Sequence, residues 1–228
     1  METKLHVELL RYTPEPHRAV ATAARLCYSK SDINTLMETM TDEKCESLLK
    51  KLSDMGHSSP SEHAVFTFGV EGVSRALTHQ LVRHRIASYS QQSQRYVGSD
   101  DFSYVIPPTI RDDAKAMERF EELMSEIKGA YKELISTINK EDARYVLPNA
   151  AETKIIITMN ARELNHFFTL RCCNRAQWEI RALATEMLSL AKSAAPLLFR
   201  KSGPNCVRGS CSEGAMSCGK LEEVRKLF

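Results

Sequence analysis

No run of about 18 or more apolar residues occurs, so no helix of bilayer-spanning length is expected. Glycine is scarce, with nine in 228 residues. None builds a G-x-x-x-x-G-K-[ST] phosphate loop or a G-x-G-x-x-G fingerprint, which makes a Rossmann-type nucleotide fold unexpected. The G-x-S-x-G nucleophile elbow and the H-E-x-x-H zinc helix are also missing. Charge of one sign is lacking too: 31 Lys and Arg face 29 Asp and Glu, for a formal net charge of +2. A chain so balanced has no global field to draw it to nucleic acid or an anionic membrane, and neither partner is expected. The N-terminal "METKLHVELL" carries charges where a secretory signal has an apolar core. The seven cysteines are therefore expected as free thiols in a reducing cytoplasm.

What is present is ordinary globular composition, 43% hydrophobic and 26% charged. "KLHVELLRYT" alternates as a strand, and "PEPHRAVATAARLCYS" reads as a proline-opened helix. Helical spacing continues from Asp32 to about His57, and a loop, "GHSSPSEH", follows. "AVFTFGV" is a second strand, and "VSRALTHQLVRHR" is helical. A long amphipathic helix is expected over Arg111 to Asn139, with Met117, Phe120, Leu123, Met124, Ile127, Tyr131, Leu134 and Ile135 as its apolar stripe. "KIIIT" is β-branched and reads as a buried strand. Helices over Ala161–Arg171 and Ala176–Ala194 complete a domain of residues 1–200, and residues 201–228 form a tail rich in Cys, Gly and Ser. The fold class is α+β, with a central antiparallel sheet covered by helices.

One stretch concentrates hydrogen-bond donors. "RHRIASYSQQSQRY", Arg83 to Tyr96, holds three arginines, a histidine, three serines and three glutamines and no acid. On a helix Gln80, Arg83 and His84 share one face, while Arg85 points elsewhere. Ser93, Gln94 and Arg95 offer a hydroxyl, backbone N–H groups and a guanidinium, a set that suits a monophosphate. A solvated basic turn and a short RNA-binding patch are the other readings of the same residues. In the tail, Cys206, Cys211 and Cys218 are spaced C-x4-C-x6-C, with Cys172 and Cys173 upstream. Four of these five could surround zinc, but the C-x2-C knuckle is absent; a flexible tail of free thiols and no bound metal are expected.

R-H-R followed after seven residues by Ser resembles the signature of the flavin-dependent thymidylate synthases. "GHSSPSEHAVFTF" before it and "ARYVLPNAAETKIIITMNARELNHFFTLRCCNRAQWEIR" after it resemble the family in the same order, so the likeness runs over about residues 1 to 200. The resemblance implies an enzyme making dTMP from dUMP in de novo dTMP biosynthesis. Methylenetetrahydrofolate would be the one-carbon donor and NADPH the reductant acting through FAD. It also implies a mixed α/β subunit with a central antiparallel sheet. Long helices would contribute to a homotetramer with active sites at subunit interfaces.

Residue by residue, the resemblance assigns dUMP binding to Gln80, Arg83, Gln91, Gln92, Ser93, Gln94, Arg95, Arg144 and Arg171. It assigns FAD binding to Ser59, His63, Arg83, His84, Arg85, Gln91, Asn160, Arg162 and His166. Arg171 is the catalytic position, a cation that favours the ionised N3 form of the uracil ring. Gln91 stands where some members carry Glu, and His166 where others carry Asn. No enzyme nucleophile is implied, and Ser93 is read as a phosphate ligand.

Overall fold

Residues 1–228, all described by a computed structural model, begin with the strand β1 (His6–Tyr12). Helix α1 (Pro16–Leu26) opens with proline in its first turn, where the missing N–H costs nothing. The helical stretch expected from Asp32 is two helices, α2 (Ile33–Thr39) and α3 (Asp42–Asp54). The reason is local: Asp32 accepts the Thr35 N–H and Thr41 accepts the Lys44 N–H, so each helix has its own N-cap. After a 3-10 turn, Ser59–His63, the strand β2 (Val65–Ser74) runs directly into α4 (Arg75–Leu81), which Ser74 caps by accepting the Leu77 N–H at 3.0 Å.

The strand β3 (Ala87–Gln91) is not among the elements expected from the sequence, because "ASYSQ" is polar. Its alternation is real but small in amplitude: Ala87, Tyr89 and Gln91 are half-buried, and Ser88 and Ser90 are exposed. A short turn, α5 (Pro108–Arg111), precedes the long helix α6 (Ala114–Ile135). Asp113 starts α6 by accepting two backbone N–H groups, so the helix holds the whole expected stripe but begins after Arg111 and ends before Asn139. Then come α7 (Lys140–Ala143) and β4 (Glu152–Asn160). Along β4, Thr153, Ile155, Ile157 and Met159 are buried, while Ile156 is 46% exposed. The run "KIIIT" is thus buried on one face only, as in a sheet with one covered side. The strands form one mixed-order antiparallel sheet, β1-β2-β4-β3.

Helix α8 (Ala161–Arg171) follows β4 without a loop, with Asn160 as its cap. It leads to α9 (Trp178–Ala194), the short α10 (Pro196–Phe199) and α11 (Leu221–Leu227). The final 28 residues are therefore not a featureless tail: they carry two 3-10 turns and a terminal helix with Val224 buried.

Two compact units divide the chain. The first comprises Met1–His6, Val70–Arg83 and Tyr89–Ile156. Its core is Phe102, Tyr104, Ile106, Met124 and Ala151, covered by Met117, Phe120, Leu123 and Ile127 of α6. The second comprises Val7–Gly69, His84–Ser88 and Ile157–Phe228. Phe66, Phe167, Phe168 and Phe199 are fully buried there, with Phe199 edge-on to both Phe66 and Phe168. Each such ring contributes on the order of 1.5–3 kcal/mol by leaving water. His17 is half-buried, and its Nε2 accepts the Leu197 N–H at 3.3 Å. Burial lowers its pKa.

Candidate functional site

The donor-rich stretch crosses the boundary between the two units twice, after Arg83 and again after Ser88. The first unit thus holds Gln80, Arg83, Gln91, Gln92, Ser93, Gln94, Arg95 and Arg144. The second holds Ser59, His63, His84, Arg85, Asn160, Arg162, His166 and Arg171. The helical face expected for Gln80, Arg83 and His84 is not formed. Helix α4 stops at Leu81, and the Arg83 N–H closes on the Gln80 carbonyl at 3.3 Å as a tight turn.

Within the first unit, the Gln91 side chain donates from Nε2 to Thr78 Oγ1 and Thr153 Oγ1, each at 3.2 Å, so it knits the edge strand β3 to α4 and β4. Tyr89 Oη donates to the Leu81 carbonyl at 2.9 Å and holds the end of the same helix. Ser93 Oγ accepts the Arg95 N–H at 3.2 Å in a local turn. Arg95 does not lack a counter-charge: it grips Glu141 with Nε at 2.9 Å and Nη2 at 2.8 Å. Arg144 Nε donates to the Glu141 carbonyl at 3.0 Å, so both arginines gather at one short helix.

A cavity of about 310 Å³ beside them is lined by Gln92, Ser93, Gln94, Arg75, Lys154 and acids. Arg75 is a cation that sequence reasoning missed. Its Nη2 donates to the Gln92 carbonyl at 2.6 Å, and its half-buried guanidinium has its pKa lowered by burial and then by Arg144. Of the lining acids, Asp101 pairs with Lys128 and Glu152 accepts the Gly72 N–H, while Lys154 itself pairs with Glu71. A separate cavity of about 520 Å³, among α1, α2 and α3, contains none of the sequence-predicted residues.

The second unit holds the tighter arrangement. Asn160 Oδ1 accepts the Glu163 N–H at 2.8 Å and starts α8. One turn in, Glu163 is buried, and its Oε1 lies 3.1 Å from His84 Nδ1. Across the imidazole, Arg171 Nε donates to His84 Nε2 at 3.1 Å. Phe167 and His166 pack edge-on against the same ring. Burial pushes the His84 pKa down, and Arg171 and His166 lower it further, against the pull of Glu163. Burial also lowers the pKa of Arg171, although a guanidinium stays protonated at working pH.

His84, Glu163 and His166 bring ligand atoms within 4.8 Å of one another, a spacing a metal could use. The Arg171 guanidinium already sits against the same imidazole, and a fixed positive charge there opposes a second cation.

Arg162 and His166 are both exposed and lie four residues apart on α8, as expected; Arg162 pairs with Glu62 of the 3-10 turn that also carries Ser59 and His63. Arg83 and Arg85 are exposed and their guanidinium groups engage no carboxylate, and Ile86 beside them is 68% exposed. Glu163 was not singled out from sequence. Its only signal was an acid in the first turn of a helix whose neighbours Ala161, Leu164 and Phe167 are apolar.

Residues 8–197 match the family model described as thymidylate synthase complementing protein. The chain belongs to this family. It is 56% identical to a flavin-dependent thymidylate synthase of Geobacter sulfurreducens, over 98% of both chains. The identity is 54% to the flavin-dependent thymidylate synthase of Clostridium tetani, over 97% of this chain and 96% of that one. With the protein of the same name from Pyrococcus furiosus it is 44%, over 97% and 96%. The family is one of enzymes, and the relatives' shared name carries both a flavin and thymidylate synthesis. No helix is long and apolar enough to cross a membrane.

Proposed function

We propose that the protein is a flavin-dependent thymidylate synthase converting dUMP to dTMP, with methylenetetrahydrofolate as one-carbon donor and NADPH as reductant through FAD. The observation that carries the reading is the held guanidinium of Arg171, bonded through Nε to a buried histidine that a buried carboxylate orients. Uracil C5 is a weak nucleophile, and the ring gains electron density when a cation faces N3 and O2. Arg171 keeps both terminal nitrogens for that task while its Nε is fixed. The cation is then preorganised and needs no rearrangement as charge develops.

Ser93, Gln94 and the neighbouring arginines Arg95 and Arg144 are the proposed holders of the nucleotide phosphate, with Gln80, Arg83, Gln91 and Gln92 completing the dUMP set. The turn at Ser93 and the cations Arg75 and Lys154 on one cavity support this assignment. For FAD, the donor chemistry fits. Arg83 and Arg85 present unengaged guanidiniums suited to a pyrophosphate, beside the exposed apolar Ile86. Ser59, His63, Asn160, Arg162 and His166 supply further polar groups around α8 and its preceding turn. FAD, when bound, supplies the hydride chemistry, and these residues bind and orient it. His84 acts in this scheme chiefly by holding Arg171, since both ring nitrogens are engaged within the chain. Ser93 Oγ accepts the Arg95 N–H and keeps its own O–H to donate to the phosphate, so it serves as ligand, with no nucleophile required.

The same reading makes the protein a cytoplasmic homotetramer with active sites at subunit interfaces. Exposed large apolar residues at Ile86, Tyr96, Tyr145 and Leu170 are surfaces such an assembly would cover.

The test is direct. Purified protein loaded with FAD should lose its flavin absorbance on adding NADPH, and tritium should leave 5-labelled dUMP only with methylenetetrahydrofolate present. Protein that takes up no FAD, or that releases no tritium with every substrate supplied, removes this function.

A further inference from the structure

The C-terminal segment is ordered without a core of its own. Residues 205–223 contain no buried side chain, yet they form the 3-10 turns Asn205–Val207 and Gly214–Met216 before α11 begins. Small segments that bury so little are usually held by a cross-link or a metal. In this stretch the partly buried side chains are Cys206, Val207, Cys211 and Leu221, and two of those are thiols.

Hydrogen bonds draw the cysteine-bearing turns together. Asn174, which follows Cys173, donates from Nδ2 to Cys218 Sγ at 3.7 Å. Arg175 donates to the Met216 carbonyl at 2.9 Å and pairs with Glu213 at 3.4 Å. Asn205 donates to Ser212 Oγ at 2.9 Å, joining the neighbours of Cys206 and Cys211. Arg225 of α11 donates to the carbonyls of Cys206 and Gly209 at 2.9 and 2.8 Å. Burial raises the pKa of the Cys206 thiol, and the nearby Cys173, Cys211 and Cys218 raise it further.

The turn after Cys218 has the form of a thiolate-holding knuckle. Gly219 is in the left-handed region at φ 71°, and this turns the Lys220 N–H back toward the Cys218 sulfur. That N–H and the Asn174 amide hold the Cys218 thiol below its ordinary pKa. The other three cysteines are placed otherwise. Cys27 is exposed just after α1, Cys45 of α3 is buried, and burial pushes Cys172 up to about 12. A thiol so disfavoured as thiolate is a core residue and a poor ligand.

We propose that Cys173, Cys206, Cys211 and Cys218 form a four-thiolate site for a structural zinc ion, which ties the C-terminal segment to the turn between α8 and α9. This replaces the expectation of a flexible, metal-free tail. The missing C-x2-C motif is no obstacle, because Cys173 comes from the α8–α9 turn and each other thiol from its own short turn. The sulfurs stand farther apart than a bound ion would hold them, since the three-residue group with ligand atoms within 4.8 Å is the histidine–glutamate one. Zn–S bonds of about 2.3 Å would bring them to roughly 3.8 Å from one another, a closure that rotation of one exposed and three partly buried side chains on short turns would make. On binding, four Cys S–H groups and one Zn²⁺ give one zinc tetrathiolate and four protons, so affinity rises with pH.

The experiment measures zinc in the full-length chain, reconstituted with zinc alone and desalted. Wild type and Cys27→Ser should carry about one zinc per chain, and Cys206→Ser and Cys218→Ser less than about a fifth of that. Alkylation mapped by mass spectrometry supplies a readout that needs no variant. In the zinc-loaded protein Cys173, Cys206, Cys211 and Cys218 should label far more slowly than Cys27, and a chelator should abolish the difference. Wild type that holds no zinc, serine variants that keep it, four thiols that label as fast as Cys27, or iron found in place of zinc would each overturn the proposal.

Discussion

The guanidinium of Arg171 donates through Nε to Nε2 of His84, 3.1 Å away, and this bond decides the histidine's tautomer. Arginine has no acceptor, so Nε2 must present its lone pair and Nδ1 must carry the proton. Glu163 Oε1, 3.1 Å from Nδ1, is the acceptor that stabilises that tautomer. A carboxylate, an imidazole and a guanidinium thus stand in series, with the guanidinium at the open end.

If Arg171 is the group that activates the pyrimidine, Arg171→Ala should nearly abolish turnover while FAD remains bound. Flavin absorbance and steady-state rates on one preparation separate the two effects. Unchanged turnover would remove the ring-activating role.

Glu163 should act on turnover through His84. Glu163→Ala leaves the Nδ1–H without its buried acceptor, a cost of about 1–3 kcal/mol, or roughly 5- to 150-fold if expressed in the rate. Glu163→Gln can still accept with its amide oxygen and should recover most of the loss. The loss is expected in kcat more than in KM for dUMP. Equal rates for the Ala variant and wild type would show that the series plays no part in turnover.

Acid should inactivate the enzyme by the same route. The His84 pKa lies below 6.5 in the folded protein, lowered first by burial, then by Arg171 and His166. A proton on Nε2 would point a donor at a donor and eject Arg171. The neutral histidine stabilises the fold in full above pH 6.5, and that contribution is lost as pH falls through the window below it, where the unfolded chain takes up the proton first. Thermal stability should therefore begin to decline below about pH 6.5, the value of the unperturbed histidine in the unfolded chain, while kcat should hold until the lower pH at which the folded His84 takes up its proton. The charged groups that face His84 are Glu163, Arg171 and His166, and His166→Asn tests whether the exposed histidine contributes to the profile.

Ser93→Ala should retain measurable turnover with a raised KM for dUMP. Only a ligand's hydrogen bond would be lost, worth about 0.5–1.5 kcal/mol, or roughly 2- to 13-fold. Complete inactivity with dUMP binding intact would instead make the hydroxyl a nucleophile.

Gly72→Ala should destabilise the first unit severely. Gly72 sits at φ 70°, and a Cβ there would lie 1.8 Å from the Lys4 carbonyl oxygen, a backbone atom with no room to retreat. A loss of about 2 kcal/mol or more, roughly 4–8 °C in Tm for a chain of this length, is expected from thermal unfolding.

Much of this architecture was legible in the residues. The alternation of β2, the proline opening of α1 and the full span of α8 are local properties, written in period and caps. What failed to show was whatever depended on a distant partner. Strand β3 is polar, and it forms because β4 offers a free edge to pair with: the Gln92 N–H reaches the Lys154 carbonyl at 2.9 Å. The apparent absence of acids around the donor-rich stretch was a property of sequence distance alone, since Glu141 lies 46 residues from Arg95 and Glu163 lies 79 from His84.

The sequence by itself determined the family's chemistry: which donors exist, in what order, and that no glycine-rich loop would hold phosphate. Only the tertiary structure decided which donors remain unengaged. Burial and charge pairing depend on where the chain returns in space, and that return commits Arg95 to Glu141 and Arg162 to Glu62 while leaving Arg83 and Arg85 open. It also commits His84 to Glu163 and Arg171, and it brings three thiols of a stretch that composition alone described as a loose tail into the neighbourhood of Cys173.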